Sequence, residues 1–192
     1  EGEGYDEPMY EPFWTAAEEL EMPLSLHVST GRPRGSGGPA RLLSLGGPSM
    51  ANVDYWVRMC ICQMVYSGVF ERHPGLQVVS VEQDVAWAPY LLGRMDLIYT
   101  ERAAQTPYRF EGGKLPSDFM RGNVNYSFQE DILGIRDREM IGMDRLMWGS
   151  DYPHAESTFP KSREILESIL DGVPEDEREM IVGGNCARLY KL

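Results

Sequence analysis

Leu146-Met147-Trp148-Gly149-Ser150-Asp151-Tyr152-Pro153-His154 is the segment from which the architecture can be read. Its first three residues are apolar and short enough for a buried strand. Gly149 then releases the chain into a polar turn that carries a carboxylate and an imidazole. Gly149 and Pro153 on either side of Asp151 suggest a tightly shaped backbone. Parallel α/β proteins deliver side chains to a site in this way, from the carboxyl ends of their strands. Asp151 is therefore the first candidate for a metal ligand or proton-transfer carboxylate. His154 stands beside it, placed to bind a substrate carboxylate or to orient Asp151.

The same pattern recurs along the rest of the chain. Leu24-Ser25-Leu26 is a short strand that ends on His27, and Gln77 to Val81, rich in β-branched residues, ends on Glu82. Asn123 to Ser127 is a third, weaker strand. Helices are expected over Phe13 to Glu21, where Phe13, Trp14, Ala17 and Leu20 share a face before Pro23, and over Asn52 to Phe70. Further helices are expected from Val85 towards Ala104 with Pro89 in the first turns, over Ser162 to Leu170, and from Pro174-Glu175 through Ile181 to Leu189. Glu1 to Glu11 reads as loop, Thr106 to Ser117 as irregular chain, and Asp131 to Met143 as a short helix with turns. The Gly- and Pro-rich stretch Val28 to Ser49 is a long loop after a strand, with Gly35-Ser36-Gly37-Gly38 as a flexible lid. Four strands alternating with helices predict a parallel α/β sheet, open or part of a barrel. Four such units are half of an eightfold barrel.

The 192 residues suit a single domain, and 42% hydrophobic with 25% charged side chains is the balance of a globular protein. The net charge of -12 repels phosphate backbones, so nucleic acid is a poor partner. No apolar run is long enough for a membrane span, and no signal peptide is visible. Three cysteines, Cys60, Cys62 and Cys186, are too few and odd in number for a disulfide framework, which fits a reducing, cytoplasmic compartment. Cys60 and Cys62 fall on a helix, where positions two apart do not face each other, so the pair is not read as a metal site. The chain starts at Glu1 without a methionine, which suggests a fragment or processed chain.

His27, Glu82 and Asp151 share one structural position, the carboxyl end of a strand. Imidazole and carboxylate are the donors that zinc, manganese and iron accept. A metal held there lowers the pKa of its bound water to about 7, and a neighbouring carboxylate can move the proton. Each residue also has a plainer reading: His27 as a hydrogen-bonded structural histidine, Glu82-Gln83-Asp84 as a helix cap, and Asp151 as a turn residue. His73, in the turn His73-Pro74-Gly75 at the start of a strand, lies at the end opposite the site and reads as structural. No G-x-S-x-G elbow, P-loop or G-x-G-x-x-G stands between a strand and a helix.

The segment Met147 to His154, followed by Glu156, Phe159-Pro160 and Ser162, resembles the last strand and loop of the amidohydrolase-2 group of the amidohydrolase superfamily. That group includes aminocarboxymuconate semialdehyde decarboxylase and aromatic-acid decarboxylases. Weaker matches are Pro12-Phe13-Trp14 through Pro23 to His27, His73-Pro74-Gly75-Leu76, Glu82 to Asp96, and Gly184-Asn185-Cys186-Ala187-Arg188-Leu189-Tyr190. The resemblance implies that residues 1–192 form the C-terminal half of a (β/α)8 TIM barrel, about its last four βα units. It implies His27 and Asp151 as ligands of a divalent metal, zinc first and manganese or iron as alternatives, with Asp151 also able to take a proton from metal-bound water. It further implies Asp151, Glu82 and His154 as the catalytic set, with Glu82 as acid/base or orienter. Many members carry a histidine where this chain has Glu82, and the first-strand His-x-His motif has no counterpart here. The implied activity is metal-dependent hydrolysis or non-oxidative decarboxylation of a small carboxylate-bearing substrate, by a homo-oligomer in the full-length protein. The alternative is a non-catalytic barrel half that pairs with another chain or binds a small ligand.

Overall fold

A computed structural model describes residues 4–28, 30–32 and 46–192 of the chain. Its frame is a four-stranded, wholly parallel sheet in the order β1 (Leu24–Leu26), β2 (Val78–Ser80), β3 (Val124–Phe128), β4 (Leu146–Trp148). The register pairs Leu26 with Ser80, Ser80 with Tyr126, and Tyr126 with Leu146. One rung beyond the strands, Val81 N–H donates to Leu26 C=O and Gly149 N–H to Phe128 C=O, both at 3.0 Å. The carboxyl ends are thus tied together where the chain turns towards the predicted site residues. Among the described residues β1 and β4 each have one hydrogen-bonded neighbour, so both are edges.

Alternation along the strands sets the two faces. Leu26, Val78, Val124, Tyr126, Phe128 and Leu146 face the helices and join one hydrophobic core with Ile61, Met64, Phe70, Met95, Met120 and Ile181. Burying large apolar side chains stabilises by roughly 1.5–3 kcal/mol each, so this face supplies the main driving force of the fold. The other face carries Ser25, Val79, Asn125, Ser127 and Met147, the parity that continues into His27 after β1.

The helices form where the sequence patterning places them, with informative shifts. α1 (Glu11–Glu19) buries Trp14 and Ala17. It stops before Pro23 because Glu21 adopts a left-handed φ of 49°. Met22 N–H then reaches Ala17 C=O and Glu21 N–H reaches Glu18 C=O, a helix-ending pair of bonds. α2 (Gly47–Met50) forms at the end of the stretch read as a long loop, and the helix expected over Asn52 to Phe70 is divided into α3 (Tyr55–Tyr66) and α4 (Val69–Arg72). Gly68 makes the last break with φ 75°, and a Cβ there would collide with the Tyr108 ring. α5 (Ala88–Glu101) starts three residues later than expected, because Val85 to Trp87 are held as loop. α6 (Pro116–Asn123), which the sequence patterning does not reveal, begins in the last two residues of the stretch read as irregular and takes Asn123 from the start of the third expected strand. Pro116 opens it, and Asp118 accepts the Leu115 N–H at 2.8 Å. α7 (Ile132–Arg136) and α8 (Arg138–Ile141) precede β4. After β4 come α9 (Ser162–Ile169), α10 (Glu175–Glu179), a π-turn over Met180–Gly184, and α11 (Asn185–Tyr190). Gly35 to Gly38, read as a lid, lie outside the described residues. Among those described, no helix is long and apolar enough to cross a membrane.

Polar side chains fix the amino ends of the strands. His73 is buried between two carboxylates, with Nε2 3.0 Å from Glu11 and Nδ1 3.1 Å from Glu18. It joins α1 to the turn before β2, the structural role expected of it. Asn123 Nδ2 donates to Pro74 and Leu76 carbonyls, and Asn185 Nδ2 donates to Met143 and Leu146 carbonyls at 2.9 Å each. Asn185 is 2% exposed, so its loss would leave two buried carbonyls without these donors. Such a loss costs roughly 1–3 kcal/mol. Asn185→Ala is expected to lower Tm by roughly 2–10 °C in a chain of this size, measured by thermal unfolding. An unchanged Tm would show that the strand start is held by other contacts.

Candidate active site

The three strand-end residues meet. His27 leaves β1 and places Nε2 2.7 Å from Glu82 Oε2. Glu82, two residues past β2, is hydrogen-bonded in turn to Asp151, three residues past β4. Asp151 Oδ2 lies 3.1 Å from His154 Nδ1. All four predicted site residues therefore form one string, His27–Glu82–Asp151–His154. The imidazoles at its ends are open to solvent, with side chains 55% and 61% exposed, while Glu82 and Asp151 between them are 24% and 12% exposed.

Local backbone makes this possible. Glu82 and Asp151 both have left-handed φ, 60° and 54°. For a residue with a Cβ that conformation costs roughly 1–2 kcal/mol and marks a place where surrounding contacts dictate the shape. Around Glu82 those contacts are its own N–H to Ser127 Oγ at 3.3 Å and the Trp87 indole N–H to the Gln83 and Asp84 carbonyls. Around Asp151, the Ser150 carbonyl accepts both Ser157 Oγ–H at 2.7 Å and Thr158 N–H at 3.1 Å, closing residues 150–158 into a compact loop. Tyr152 and Phe159 stand on its rim, both more than half exposed, with ring centroids 4.9 Å apart.

The Glu82 carboxyl is held above its usual range, first by burial and then by its hydrogen bond with Asp151, with His27 opposing. Two carboxylates in contact resist ionising together, and sharing one proton relieves the repulsion. As a pair they can hold and release a proton. One imidazole and two carboxylates are donor types that fit a divalent cation. Among the described residues, however, no group of three or more His, Cys, Asp or Glu side chains is arranged to hold one. The donors run in sequence, with Glu82 lying between the two expected ligands, His27 and Asp151.

Two acidic residues of the site escape a reading of the sequence alone. Asp131 sits at the start of α7 and accepts N–H groups from the loop after β2. Its capping role had a signal in Asp131-Ile132-Leu133, a polar residue before an apolar helix start; its cross-loop contacts had none. Asp84 looks in the sequence like part of a helix cap. Its carboxyl is pushed up to about 6, first by displacement of water, then by the Asp131 charge.

Residues 1–192 match the protein family described as Amidohydrolase. The gamma-resorcylate decarboxylase of Rhizobium sp. (strain MTP-10005) is 27% identical, over 100% of this chain and 59% of that protein. The chain thus spans less than two thirds of the length of that curated relative. The crystal structure of 5-carboxyvanillate decarboxylase from Sphingomonas paucimobilis aligns with a TM-score of 0.78 at 22% identity, covering 100% of this chain and 56% of that one. That of a dihydroxybenzoic acid decarboxylase from Polaromonas sp. JS666, with bound manganese and the inhibitor 2-nitroresorcinol, gives 0.73 at 22% identity over 98% and 55%. These two likenesses establish the fold.

Asp84 yields a stability prediction. A carboxyl whose folded pKa is raised favours the fold when protonated, so its contribution is full below the unfolded value near 4 and is lost as pH rises through about 6. Asp84→Asn is expected to stabilise the protein at pH 7 by about 1 kcal/mol, discounted because solvent screens much of the residue. The gain should vanish below about pH 4 in paired thermal melts. A gain independent of pH would point instead to the ease with which Asn adopts the left-handed φ of 48°.

Proposed function

The chain belongs to the amidohydrolase family, and on that footing we propose that it carries the site of a metal-dependent, non-oxidative decarboxylase acting on a small aromatic carboxylate. Its four βα units are then the last four of a (β/α)8 barrel, in one domain over residues 1–192. The observation that carries the reading is the Glu82 carboxyl held between His27 and Asp151 at the carboxyl edge of the sheet. The names of the relatives, decarboxylases of hydroxylated benzoates, support the substrate class.

Decarboxylation breaks the bond between the substrate carboxyl carbon and the ring. Carbon dioxide leaves, the bonding pair stays on the ring carbon, and that carbon takes up a proton. Glu82, whose carboxyl is held above its usual range by burial and by Asp151, gives that proton. Asp151, through its hydrogen bond, stabilises the protonated form of Glu82 beforehand. His154, at the solvent end of the string, orients Asp151 and returns a proton from water for the next turnover. His27 Nε2 holds the Glu82 carboxyl in place from the other side. His27 and Asp151 are also the two residues of this chain proposed to hold a divalent ion, zinc by donor type with manganese or iron as alternatives. When bound, the ion supplies Lewis-acid polarisation of a substrate oxygen. Hydrolysis, the broader chemistry that the family description allows, would use the same carboxylate pair on water.

The test is carbon dioxide release from 2,6-dihydroxybenzoate and 5-carboxyvanillate by protein supplied with Mn2+ or Zn2+. Glu82→Gln is expected to lower kcat at least about 100-fold with KM little changed, the usual loss when a positioned acid is removed. Asp151→Ala should abolish turnover and reduce metal content. Full activity in Glu82→Gln, or intact activity and metal content in Asp151→Ala, would overturn the assignment.

A further inference from the structure

Asp131 is 7% exposed and lies outside the string of site residues. Its Oδ1 accepts the Gly134 N–H at 2.8 Å and so caps α7. Its Oδ2 accepts two more backbone donors, Val85 N–H and Ala86 N–H, both at 2.7 Å. Val85 and Ala86 belong to the loop after β2, whereas Asp131 and Gly134 belong to the connection after β3. One carboxylate therefore clamps two neighbouring strand-end loops. The loops also meet closely: a Cβ at Gly134 would collide with the Val85 side chain and with the Asp131 carboxylate. Asp84, immediately before the clamped residues, has φ 48°, and Glu82 has φ 60°. The segment that carries Glu82 thus runs from a hydrogen bond at Ser127 to the clamp at Val85.

We propose that Asp131 is a positioning residue for Glu82: by fixing the Val85 and Ala86 amides it holds the Glu82 carboxyl between His27 and Asp151. The proposal rests on the reading of Glu82 as the proton donor, but its mechanical part stands apart from any activity. A cap of α7 alone needs one acceptor for Gly134 N–H, which a serine supplies. Two further bonds to the preceding loop exceed what a cap requires. Charge-assisted bonds to a carboxylate are also stronger than neutral ones.

Asp131→Ser separates the two roles. The serine hydroxyl restores the cap and is too short to reach Val85 and Ala86. The side-chain carboxyl resonance of Glu82, followed by 13C NMR at fixed pH, reports whether Glu82 still contacts His27: His27→Gln should shift it in the parent protein and leave it nearly unmoved in the Asp131→Ser background. Amide exchange at Val85 and Ala86 should quicken at least about tenfold, and kcat on an aromatic carboxylate should fall about tenfold with KM changing less. Asp131→Asn is the second variant. It keeps an oxygen for Gly134 and turns its amide group against the Val85 and Ala86 donors, so it should give the same pattern. Should both variants keep the His27-dependent shift and parent-like exchange at Val85 and Ala86, the proposal is overturned. If the shift is lost while the parent protein shows no decarboxylation, the positioning role stands and the functional reading fails.

Discussion

Parallel pairing constrains everything else in this molecule. Strands that run the same way present all their carboxyl ends along one edge, so residues distant in sequence leave the sheet side by side. His27, Glu82 and Asp151 are separated by 54 and 68 intervening residues, and no local motif joins them. They meet because the strands before them share a register, locked one rung past β1 and β2 by Val81 and past β3 and β4 by Gly149. The helices serve that register by covering one face of the sheet with apolar side chains. The opposite face is left to carry Ser25, Asn125, Ser127 and the site.

Contact between the Glu82 and Asp151 carboxyls is unfavourable when both are charged and favourable when they share a proton. Left-handed backbone at both positions adds further cost. Fixed partners offset these costs: the Ser127 hydroxyl, the Trp87 indole and the Asp131 carboxylate for the loop after β2, and the Ser150 carbonyl for the loop after β4. None of these partners belongs to the string itself. Rigidity around the site is supplied by residues whose chemistry is plain hydrogen bonding.

The parallel strands were legible in the sequence because short apolar runs that repeatedly end on a polar residue suit a strand buried on both faces and opening into a loop. His27, Glu82, Asp151 and His154 were legible as candidates for the same reason. Their linear order was not, since alternation along a strand says nothing about which strand-end side chain reaches which. The sequence offered His27 and Asp151 as partners at one site, but not that the Glu82 carboxyl reaches both of them. α6 was hidden because Pro116 and the glycines before it read as breakers, although proline at a first turn also opens helices. The late start of α5 was invisible too, because it depends on Asp131 reaching across from another loop. Asn185, which in the sequence is only one member of a family-like run, proves to be a brace for the start of β4.

The left-handed backbone at Glu82 bears on how such a site can change over generations. Glycine, asparagine and aspartate enter that region cheaply, histidine less so, and β-branched residues hardly at all. Another acid or base at position 82 must therefore come from this short roster, bear the backbone cost that Glu82 bears, or wait until the loop is remodelled. Remodelling would mean releasing the Val85 and Ala86 amides from Asp131. Positions 82 and 131 should therefore drift together, and grafting a histidine onto this loop without touching Asp131 would put the ring where the present backbone points a carboxylate.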